Sequence, residues 1–268
     1  MHASIVLLSM ALGLSTAIPT PSWDAPTNTS GNTAVAVPAS TTYPSSTASA
    51  SASCTAKPSA KDPEFFEKLA SAPNAVLRQE LLSDSDFVFD FQNPCDGEGA
   101  TAMGDGGKIV RADRASMLAL LGQGGAVAIG FLGPCGFNTP HVHPRAAELN
   151  LIIEGRLFAS VTAENGARHM NHTLSKYQMT VFPAGAVHTE FNPDCTPATF
   201  VAAFPHEDPG VGQIAELYFG LENEIVSGSA GGEVSVAGAD IDTFRKLIPA
   251  NVAAGVDSCL AKCGIAKR

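Results

Sequence analysis

The stretch Gly136-Phe-Asn-Thr-Pro-His-Val-His-Pro-Arg-Ala-Ala-Glu-Leu-Asn-Leu-Ile-Ile-Glu-Gly155 combines histidine and glutamate side chains, which commonly bind metals, with an apolar run. His141 and His143 are two residues apart, so on a β-strand both imidazoles project from the same face. Glu148 opens the apolar run, and its carboxylate would lie near that face if the two strands paired as a hairpin. The stretch therefore predicts two strands that bring potential metal ligands together.

A second stretch, Phe182-Pro-Ala-Gly-Ala-Val-His-Thr-Glu-Phe-Asn192, is typical of a turn that leads into a strand carrying His188. Three imidazoles and one carboxylate inside a barrel would leave about two positions of an octahedral metal open for water or substrate. Metal catalysis requires such open positions. The candidate ligands are therefore His141, His143, Glu148 and His188, and the alternative is a metal-free polar pocket built from the same residues.

Apolar runs with a period of two residues predict short β-strands around these motifs. The runs are bounded by Gly, Pro, Asn and Asp, as in an antiparallel sandwich or barrel. No repeat of about 20 to 50 residues is evident, so we expect one barrel rather than two. The predicted strands lie at 87–91, 126–132, 149–153, 157–161, 179–182 and 199–204.

Helical patterns flank the predicted barrel. Asp62-Pro63-Glu64 signals a helix start, with Asp as the N-cap and Pro in the first turn. Helical spacing returns from Asp240 to Ile248 and again through Cys259 and Leu260. We therefore expect an all-β domain at residues 61–268, with flanking N- and C-terminal helices and a C-terminal helical extension.

The N-terminal residues predict export followed by a spacer. The apolar run from Ser4 to Leu14 is shorter than the roughly 20 residues that span a bilayer, and small residues follow it. Residues 1–17 are therefore predicted to be a secretory signal peptide, the alternative being a disordered apolar tail. Residues 18–60 are mostly Ser, Thr, Ala and Pro, which cannot offset the entropy of ordering, and are predicted to be a disordered spacer.

Composition restricts the partners and the compartment. The 268-residue chain has 26 Asp and Glu against 16 Lys and Arg, which argues against nucleic acid as a partner because phosphate contacts require clustered cations. Six cysteines agree with an oxidising compartment, so we expect a protein secreted to the extracellular space or cell wall, with no membrane association after signal cleavage. Sequons at Asn28 and Asn171 predict a glycoprotein.

The two histidine stretches resemble the motifs of the cupin superfamily, G(X)5HXH(X)3,4E(X)6G and G(X)5PXG(X)2H(X)3N. The phrase from Asn138 to Glu148 is similar to the germin form, and Glu207-Asp-Pro-Gly resembles a phrase of the secreted spherulin-like proteins. The resemblance covers about residues 83–264. It implies a single jelly-roll β-barrel, a homo-oligomer, and Mn(II) as the ion bound by the four candidate ligands.

Two positions depart from the motifs, because Cys135 and Tyr177 stand where each motif has its leading glycine. A glycine there usually supplies a positive φ, so Tyr177 is expected to alter the connection into the strand at 178–182 while metal binding survives. Since the two motifs lie on neighbouring strands of a cupin barrel, Cys135 and Cys195 are expected to form a disulfide, with free thiols as the alternative. The remaining cysteines could pair in three ways: Cys54, Cys95, Cys259 and Cys263.

The resemblance to germins implies oxalate oxidation, superoxide dismutation, or a non-catalytic role. Oxalate-oxidising germins are thought to hold their substrate with two Asn side chains, of which Asn138 matches the first and Ala128 replaces the second. Oxalate oxidation is therefore disfavoured, whereas superoxide dismutation needs only a redox-active ion and access for a small anion. The expected substrate is small and anionic or derived from oxygen.

Asn138 and Glu190 are the candidate catalytic residues. Glu190 lies two residues after His188, so it should face inward beside the metal and could pass a proton to or from bound water. The alternative is a glutamate at the barrel mouth that pairs with Arg145 or meets solvent. A non-catalytic structural glycoprotein of the cell wall, spore coat or stress response is the alternative for the whole chain, supported by the Ser/Thr/Pro-rich spacer. A small-molecule dioxygenase or isomerase is a weaker third reading.

Overall fold

The computed structural model describes residues 62–94, 101–231 and 240–266. The predicted signal peptide and spacer, Asn28, Cys54 and Cys95 lie outside these ranges. Within the described residues, no helix combines the length and the apolar character needed to cross a membrane.

Twelve strands in the described part of the chain form two antiparallel sheets. They are β1 (Thr101–Gly104), β2 (Gly107–Ala112), β3 (Ala126–Leu132), β4 (Gly136–Val142), β5 (Glu148–Glu154), β6 (Arg156–Thr162), β7 (Met170–Ser175), β8 (Met179–Phe182), β9 (Val187–Phe191), β10 (Ala198–Phe204), β11 (Gly212–Gln213) and β12 (Ala253–Ala254). The first sheet has the order β1-β2-β3-β10-β5-β8, and the second has the order β11-β4-β9-β6-β7 with β12 paired to β4.

The core lies between the two sheets. Side chains of β3 and β10 alternate between buried and partly exposed positions along both strands, as the period of two residues predicts. Inward residues of both sheets, among them Leu157, Phe182 and Phe200, pack into one hydrophobic cluster. Face-to-face packing of two antiparallel sheets confirms the predicted all-β jelly-roll class.

Six helices flank the barrel in the described ranges. They are α1 (Pro63–Ala70), α2 (Ala75–Glu80), α3 (Ile214–Phe219), α4 (Asn223–Ser229), α5 (Ile241–Arg245) and α6 (Asp257–Cys263). Asp62 caps α1 by accepting the Phe65 amide N–H at 3.2 Å, and Asp240 caps α5 by accepting the Thr243 amide N–H at 2.7 Å. These caps confirm the two predicted helix starts. Helices α3 and α4 were not predicted.

The predicted strand at 87–91 is wrong. Asp84–Phe87 forms a 3-10 turn, and the residues after it pair with no strand in the described chain. The Asp90 carboxylate accepts the amide N–H groups of Gln92 and Asn93 at 2.8 and 3.2 Å, which bends the backbone. Local side-chain hydrogen bonds thus override the alternating apolar pattern.

The predicted disulfide between Cys135 and Cys195 is also wrong. Cys135 bonds to Cys259, and Cys195 bonds to Cys263. The ends of β4 and β9 do lie close together, since the Cys135 amide donates to the Asp194 carbonyl at 3.3 Å. Helix α6 carries Cys259 and Cys263 four residues apart on one face, and these two cysteines form the disulfides with Cys135 and Cys195. The C-terminal segment is therefore attached covalently to the barrel at two points.

The two replaced motif glycines keep the backbone conformation that a glycine would supply. Cys135 has φ 58° and Tyr177 has φ 66°, and they are the non-glycine residues with positive φ in the described chain. The expected change in the connection to β8 is therefore not seen in the backbone. Cysteine and tyrosine thus stand at the two glycine positions of the motifs, and both residues adopt a positive φ.

Candidate functional site

The structure brings the four predicted ligands together inside the barrel. His141, His143, Glu148 and His188 are all buried, and their ligand atoms lie within 4.8 Å of one another. Strands β4 and β9 pair with His141 directly opposite His188. Three of the four side chains therefore lie on strands, and His143 directly follows the end of β4.

Glu148 reaches the cluster by a different route from the predicted one. Strand β5 pairs with β10 and β8 and not with β4, so the expected hairpin is wrong. The short connection after His143 instead crosses from one sheet to the other. Glu148 consequently faces the histidines across the interior of the barrel, and its Oε2 lies 3.0 Å from His143 Nε2 and 3.2 Å from His188 Nε2.

Each ligand histidine is oriented by a backbone carbonyl. The Nδ1 atoms of His141, His143 and His188 donate to carbonyl oxygens of Thr139, Gly210 and Ala186 at 2.9, 2.5 and 2.8 Å. A proton on each Nδ1 leaves a lone pair on each Nε2, and those of His143 and His188 are directed at the Glu148 carboxylate. Acceptors that face acceptors at such distances repel unless a cation lies among them. The donor set therefore fits a bound metal ion.

Burial and mutual charge set the protonation of the cluster. Burial, with the positive charge that His188 would carry, lowers the pKa of His141 to about 3. Burial alone raises the pKa of Glu148, but the close approach of the His143 and His188 side chains outweighs it and lowers that pKa. A neutral imidazole and an ionised carboxylate are the forms that bind metals. The cluster is thus prepared for a cation at neutral pH.

The two candidate catalytic residues lie beside the ligands in one hydrogen-bond network. Asn138 donates through Nδ2 to Glu190 Oε2 at 3.0 Å, and the same Nδ2 lies 3.3 Å from His141 Nε2. Asn150 donates to Glu148 at 2.9 Å and to Glu190 at 3.4 Å. Burial, followed by the charge of Glu148, raises the pKa of Glu190 well above its ordinary value. Glu190 faces inward on β9, and its described contacts do not include Arg145.

A cavity of about 160 Å³ opens beside the cluster. Asn138, His141, His143 and Glu148 line it, whereas Glu190 is not among the lining residues. Glu190 therefore contacts Asn138 rather than the cavity itself. Its inward orientation follows the strand period, but Asn138 separates it from the space in which a substrate would lie.

Sequence reasoning missed four polar residues of this cavity, of which Thr101 comes from β1. Arg111 comes from β2, Gln213 from β11, and Asn251 from the segment between α5 and β12. Asn251 donates through Nδ2 to Asn138 Oδ1 at 2.8 Å, across 113 residues of chain. No local pattern identifies such residues, because only the folded topology brings them to one cavity.

The other histidines and Arg145 lie outside the cluster. His172 contacts the Thr180 hydroxyl at 2.8 Å, and His206 accepts the Asp208 amide N–H at 2.9 Å. Arg145 forms an ion pair with Asp208 at 2.7 Å. These contacts give each side chain a structural partner away from the four ligands.

Comparison with known proteins agrees with the fold and the motifs. Residues 95–229 match the sequence profile of the cupin family. Spherulin-1A of Physarum polycephalum is 42% identical over 209 residues, which cover 77% of this chain and 81% of spherulin-1A. Germin-like protein 1-3 of Oryza sativa subsp. japonica is 32% identical over 174 residues, 64% of this chain and 76% of that protein.

A solved structure of oxalate oxidase superposes with a TM-score of 0.51 at 22% identity, covering 62% of this chain and 85% of that one. Oxalate oxidase in complex with the substrate analogue glycolate gives the same values. Similarity at this level of identity shows a shared fold and leaves the reaction to be argued from the site.

Proposed function

The chain belongs to the cupin family, with germin-like and spherulin-like relatives, and we propose that it is a secreted manganese-binding protein with redox activity on a small anionic or oxygen-derived substrate. The observation that carries this proposal is the set of three Nδ1 hydrogen bonds to backbone carbonyls. Those bonds leave a lone pair on each Nε2, and the three Nε2 atoms and the Glu148 carboxylate lie within 4.8 Å of one another, as a cation site requires.

The four proposed ligands are His141, His143, Glu148 and His188. A mixed set of imidazoles and a carboxylate suits a divalent transition ion, and the family resemblance selects Mn(II). When bound, Mn would supply one-electron redox chemistry and Lewis acidity. The protein's own contribution is to fix three of the ligands on strands β4, β5 and β9, with His143 at the end of β4, beside a cavity bordered by apolar side chains such as Phe200 and Phe204.

Asn138 is proposed to contact the substrate. It lines the cavity, and its amide nitrogen lies close to His141 Nε2. Glu190 is proposed as a positioning residue, because it holds the amide of Asn138 and does not reach the cavity. The oxygen of Asn138 is held from the other side by Asn251, so the amide has one defined orientation.

Oxalate is proposed to be a poor substrate. Ala128 lines the cavity and has no hydrogen-bonding group to offer a second carboxylate. A missing hydrogen bond to a charged group costs about 1.5 to 3 kcal/mol. Superoxide does not need the second amide, so superoxide dismutation is the favoured reaction.

Secretion and assembly belong to the same proposal. Two disulfides are expected of a protein from an oxidising compartment, and Asn171 is exposed on β7, where a glycan could be attached. Exposed apolar side chains on the helices that follow the barrel, such as Leu217 and Ile225, support a homo-oligomer.

A non-catalytic glycoprotein of the cell wall, spore coat or stress response is the second candidate. The Ser/Thr/Pro-rich composition of residues 18–60 suits surface display, and the doubly attached C-terminal segment suits a durable structure. In this case the metal would stabilise the barrel without supporting turnover.

One experiment separates the two candidates. Metal content is measured by mass spectrometry after loading with Mn, and the loaded protein is screened for superoxide dismutation and for oxygen consumption with oxalate and other dicarboxylates. We expect about one Mn per chain and measurable superoxide turnover. Stoichiometric Mn without turnover would favour the structural role, and a chain that retains no metal would contradict both forms of the metal proposal.

A further inference from the structure

The four described cysteines bring their sulfur atoms together where helix α6 meets the barrel. The Sγ atoms of Cys135, Cys259 and Cys263 lie within 4.8 Å of one another. Cys135 and Cys263 belong to different disulfides, yet their Sγ atoms are 3.5 Å apart. The sulfur of Cys195 is bonded to that of Cys263 and therefore adjoins the same group. The two disulfides thus form one cluster of four sulfur atoms.

The spacing between the two disulfides is close to that of a tetrahedral zinc site. Four thiolates that bind Zn²⁺ at about 2.3 Å have sulfur atoms roughly 3.8 Å apart. The 3.5 Å between the Sγ atoms of Cys135 and Cys263 is of this size. Once the bond within a disulfide is broken, its two sulfur atoms need to separate by less than about 2 Å to reach the same spacing. Rotation about the Cα–Cβ bond is sufficient for such a shift.

The cluster draws its cysteines from three segments of the chain. Cys259 and Cys263 lie on α6 with three residues between them, a spacing found for pairs of zinc ligands. Cys135 directly precedes β4, and Cys195 lies between β9 and β10. Structural zinc sites likewise join distant segments through four side chains.

Hydrogen bonds hold these segments together independently of the disulfides. The Cys135 amide donates to the Asp194 carbonyl at 3.3 Å. The buried Asn192 donates through Nδ2 to the carbonyls of Gly133 and Thr196 at 2.9 and 2.8 Å, which ties the two turns that carry Cys135 and Cys195. Strand β12, just before α6, pairs with the start of β4. The four cysteines are therefore expected to stay close together when both disulfides are reduced.

This cluster is separate from the four candidate ligands inside the barrel and differs from them in chemistry. Cys135 lies six residues before His141, about 20 Å along an extended strand. Thiolates select Zn²⁺ over Mn²⁺, whereas imidazoles with a carboxylate accept either ion. Cys135 and Cys259 are buried, and Cys195 is exposed, so a soluble reductant can reach the cluster from the side of Cys195.

We propose that Cys135, Cys195, Cys259 and Cys263 form a zinc site in the reduced chain, where the ion replaces the two disulfides as the link between α6 and the barrel. Two external dithiols are oxidised to their disulfides, and each gives two electrons and two protons to one protein disulfide. Zn²⁺ then binds the four sulfurs and releases four protons. An external disulfide as oxidant reverses the sequence and releases the ion. The inference does not depend on the reaction proposed for the barrel.

The test uses the full chain with Cys54 and Cys95 replaced by serine, because these cysteines lie outside the described residues and would add thiols. One sample is kept oxidised, and the other is reduced without oxygen by a phosphine, which adds no competing thiol. Both are titrated with Zn²⁺ by calorimetry and with Co²⁺ by absorption spectroscopy. Thiolate complexes of Co²⁺ have a charge-transfer absorption that imidazole and carboxylate complexes lack, so the spectrum separates this site from the one in the barrel.

We expect the reduced chain to bind one Zn²⁺ more than the oxidised chain, and the charge-transfer absorption to appear only after reduction. Cys135→Ser and Cys263→Ser should each weaken the additional binding at least about a hundredfold, because each removes one of four ligands. His188→Ala is the control, since it removes a candidate ligand of the barrel site and leaves the cysteines intact. Equal zinc content before and after reduction, or unchanged absorption in Cys135→Ser, would overturn the proposal.

A second measurement covers the case in which the reduced chain loses its fold. The reduced, denatured chain is refolded with and without Zn²⁺, and its melting temperature is compared with that of a variant carrying serine at all four cysteine positions. Both chains keep the histidine cluster, so any stabilisation by zinc in the barrel is common to them. The rise in melting temperature on adding Zn²⁺ should be larger in the chain with cysteines. Equal rises, or a reduced chain that does not refold with Zn²⁺, would contradict the thiolate site.

Discussion

The candidate metal ligands and the other polar residues of the cavity are positioned by the fold in different ways. On the ligand side, His141, His143 and His188 are buried on or next to paired strands and are each held by a nearby backbone carbonyl. Two other polar lining residues, Arg111 and Asn251, come from segments far apart in the chain and are partly exposed. The candidate metal ligands thus come from short local motifs, whereas the other polar residues of the cavity depend on long-range assembly.

The largest effect is expected on the ligand side. His188→Ala removes one of three imidazoles and leaves the charge of Glu148 uncompensated in the barrel. We expect bound Mn to be abolished and the melting temperature to fall, as measured by elemental analysis and calorimetry. His172→Ala is the control, since His172 lies on β7 outside the cluster and should leave the metal in place. Full occupancy in His188→Ala would refute the ligand assignment.

Glu190→Gln tests the hydrogen bonds that Glu190 accepts from Asn138 and Asn150 beside the candidate ligands. Glu190 accepts from Asn138 through one oxygen and from Asn150 through the other, and glutamine has one oxygen for the two donors. We expect kcat for superoxide or another substrate to fall about ten- to a hundredfold, with Mn content unchanged and KM little affected. Glu154→Gln, at the exposed end of β5, is the control. If kcat is unchanged in Glu190→Gln, the residue is structural.

An asparagine can be introduced at position 128, where Ala128 replaces the second Asn that oxalate-oxidising germins are thought to use. Ala128→Asn adds a donor to the cavity wall, where the side chain has space. A hydrogen bond to a charged group is worth about 1.5 to 3 kcal/mol, so oxalate oxidation should rise about ten- to a hundredfold. Peroxide release from oxalate is the measurement, and Ala202→Asn is a control at a neighbouring lining position. Robust oxalate oxidation by the wild type would show that the second amide is dispensable.

A smaller effect concerns the stability of the metal-free protein as the pH falls. The pKa of His141 is about 3 in the folded chain and about 6.5 when unfolded, so the unfolded state binds more protons between these values. The free energy of unfolding should therefore decrease as pH falls from 6.5 towards 3. Urea unfolding at about pH 6.5 and 5 measures this decrease in the free energy of unfolding, because both values lie above the ordinary pKa of carboxyl groups. His141→Asn should show a shallower slope, and equal slopes would exclude His141 as the cause.

Local signals predicted much of the fold from the sequence. The predicted strand at 126–132 coincides with β3, Asp62 caps a helix as expected, and helix α5 begins next to Asp240, where helical spacing was predicted to return. Strand period and capping depend on residues a few positions apart, so the sequence displays them directly. The motif spacing likewise predicted which four side chains would meet, although Glu148 arrives from the other sheet.

Long-range contacts were not predictable in the same way. Helix α6 places Cys259 and Cys263 beside the ends of β4 and β9, and this packing decides the disulfide pairing. Asn251 reaches Asn138 only because β12 pairs with β4. Such contacts follow from tertiary packing rather than from residue spacing. For this reason the sequence indicated a candidate metal site but missed the other polar residues of the cavity.

The smallest expected effect concerns Tyr177, which precedes β8 on the ligand side. Strand β8 ends at Phe182, whose ring stacks on His188 with centroids 4.3 Å apart, so this turn supports a proposed ligand. Tyr177 has φ 66°, a conformation that costs an L-residue about 1 to 2 kcal/mol and glycine almost nothing. Its side chain is 72% exposed and loses little packing on truncation.

We therefore compare Tyr177→Gly with Tyr177→Ala, since both remove the ring and its contact with Lys176 while only glycine relieves the backbone. Tyr177→Gly should be the more stable variant by about 1 kcal/mol in urea unfolding. At Met179, in the strand itself, the order should reverse, because glycine in a strand interior is less stable than alanine by about 0.5 to 1 kcal/mol. If glycine is more stable than alanine at Tyr177 but less stable at Met179, the turn before β8 still requires the positive φ that the motif glycine would supply. Equal stability of the two Tyr177 variants would mean that the turn relaxes, and that the ligand side tolerates more backbone change than its buried hydrogen bonds indicate.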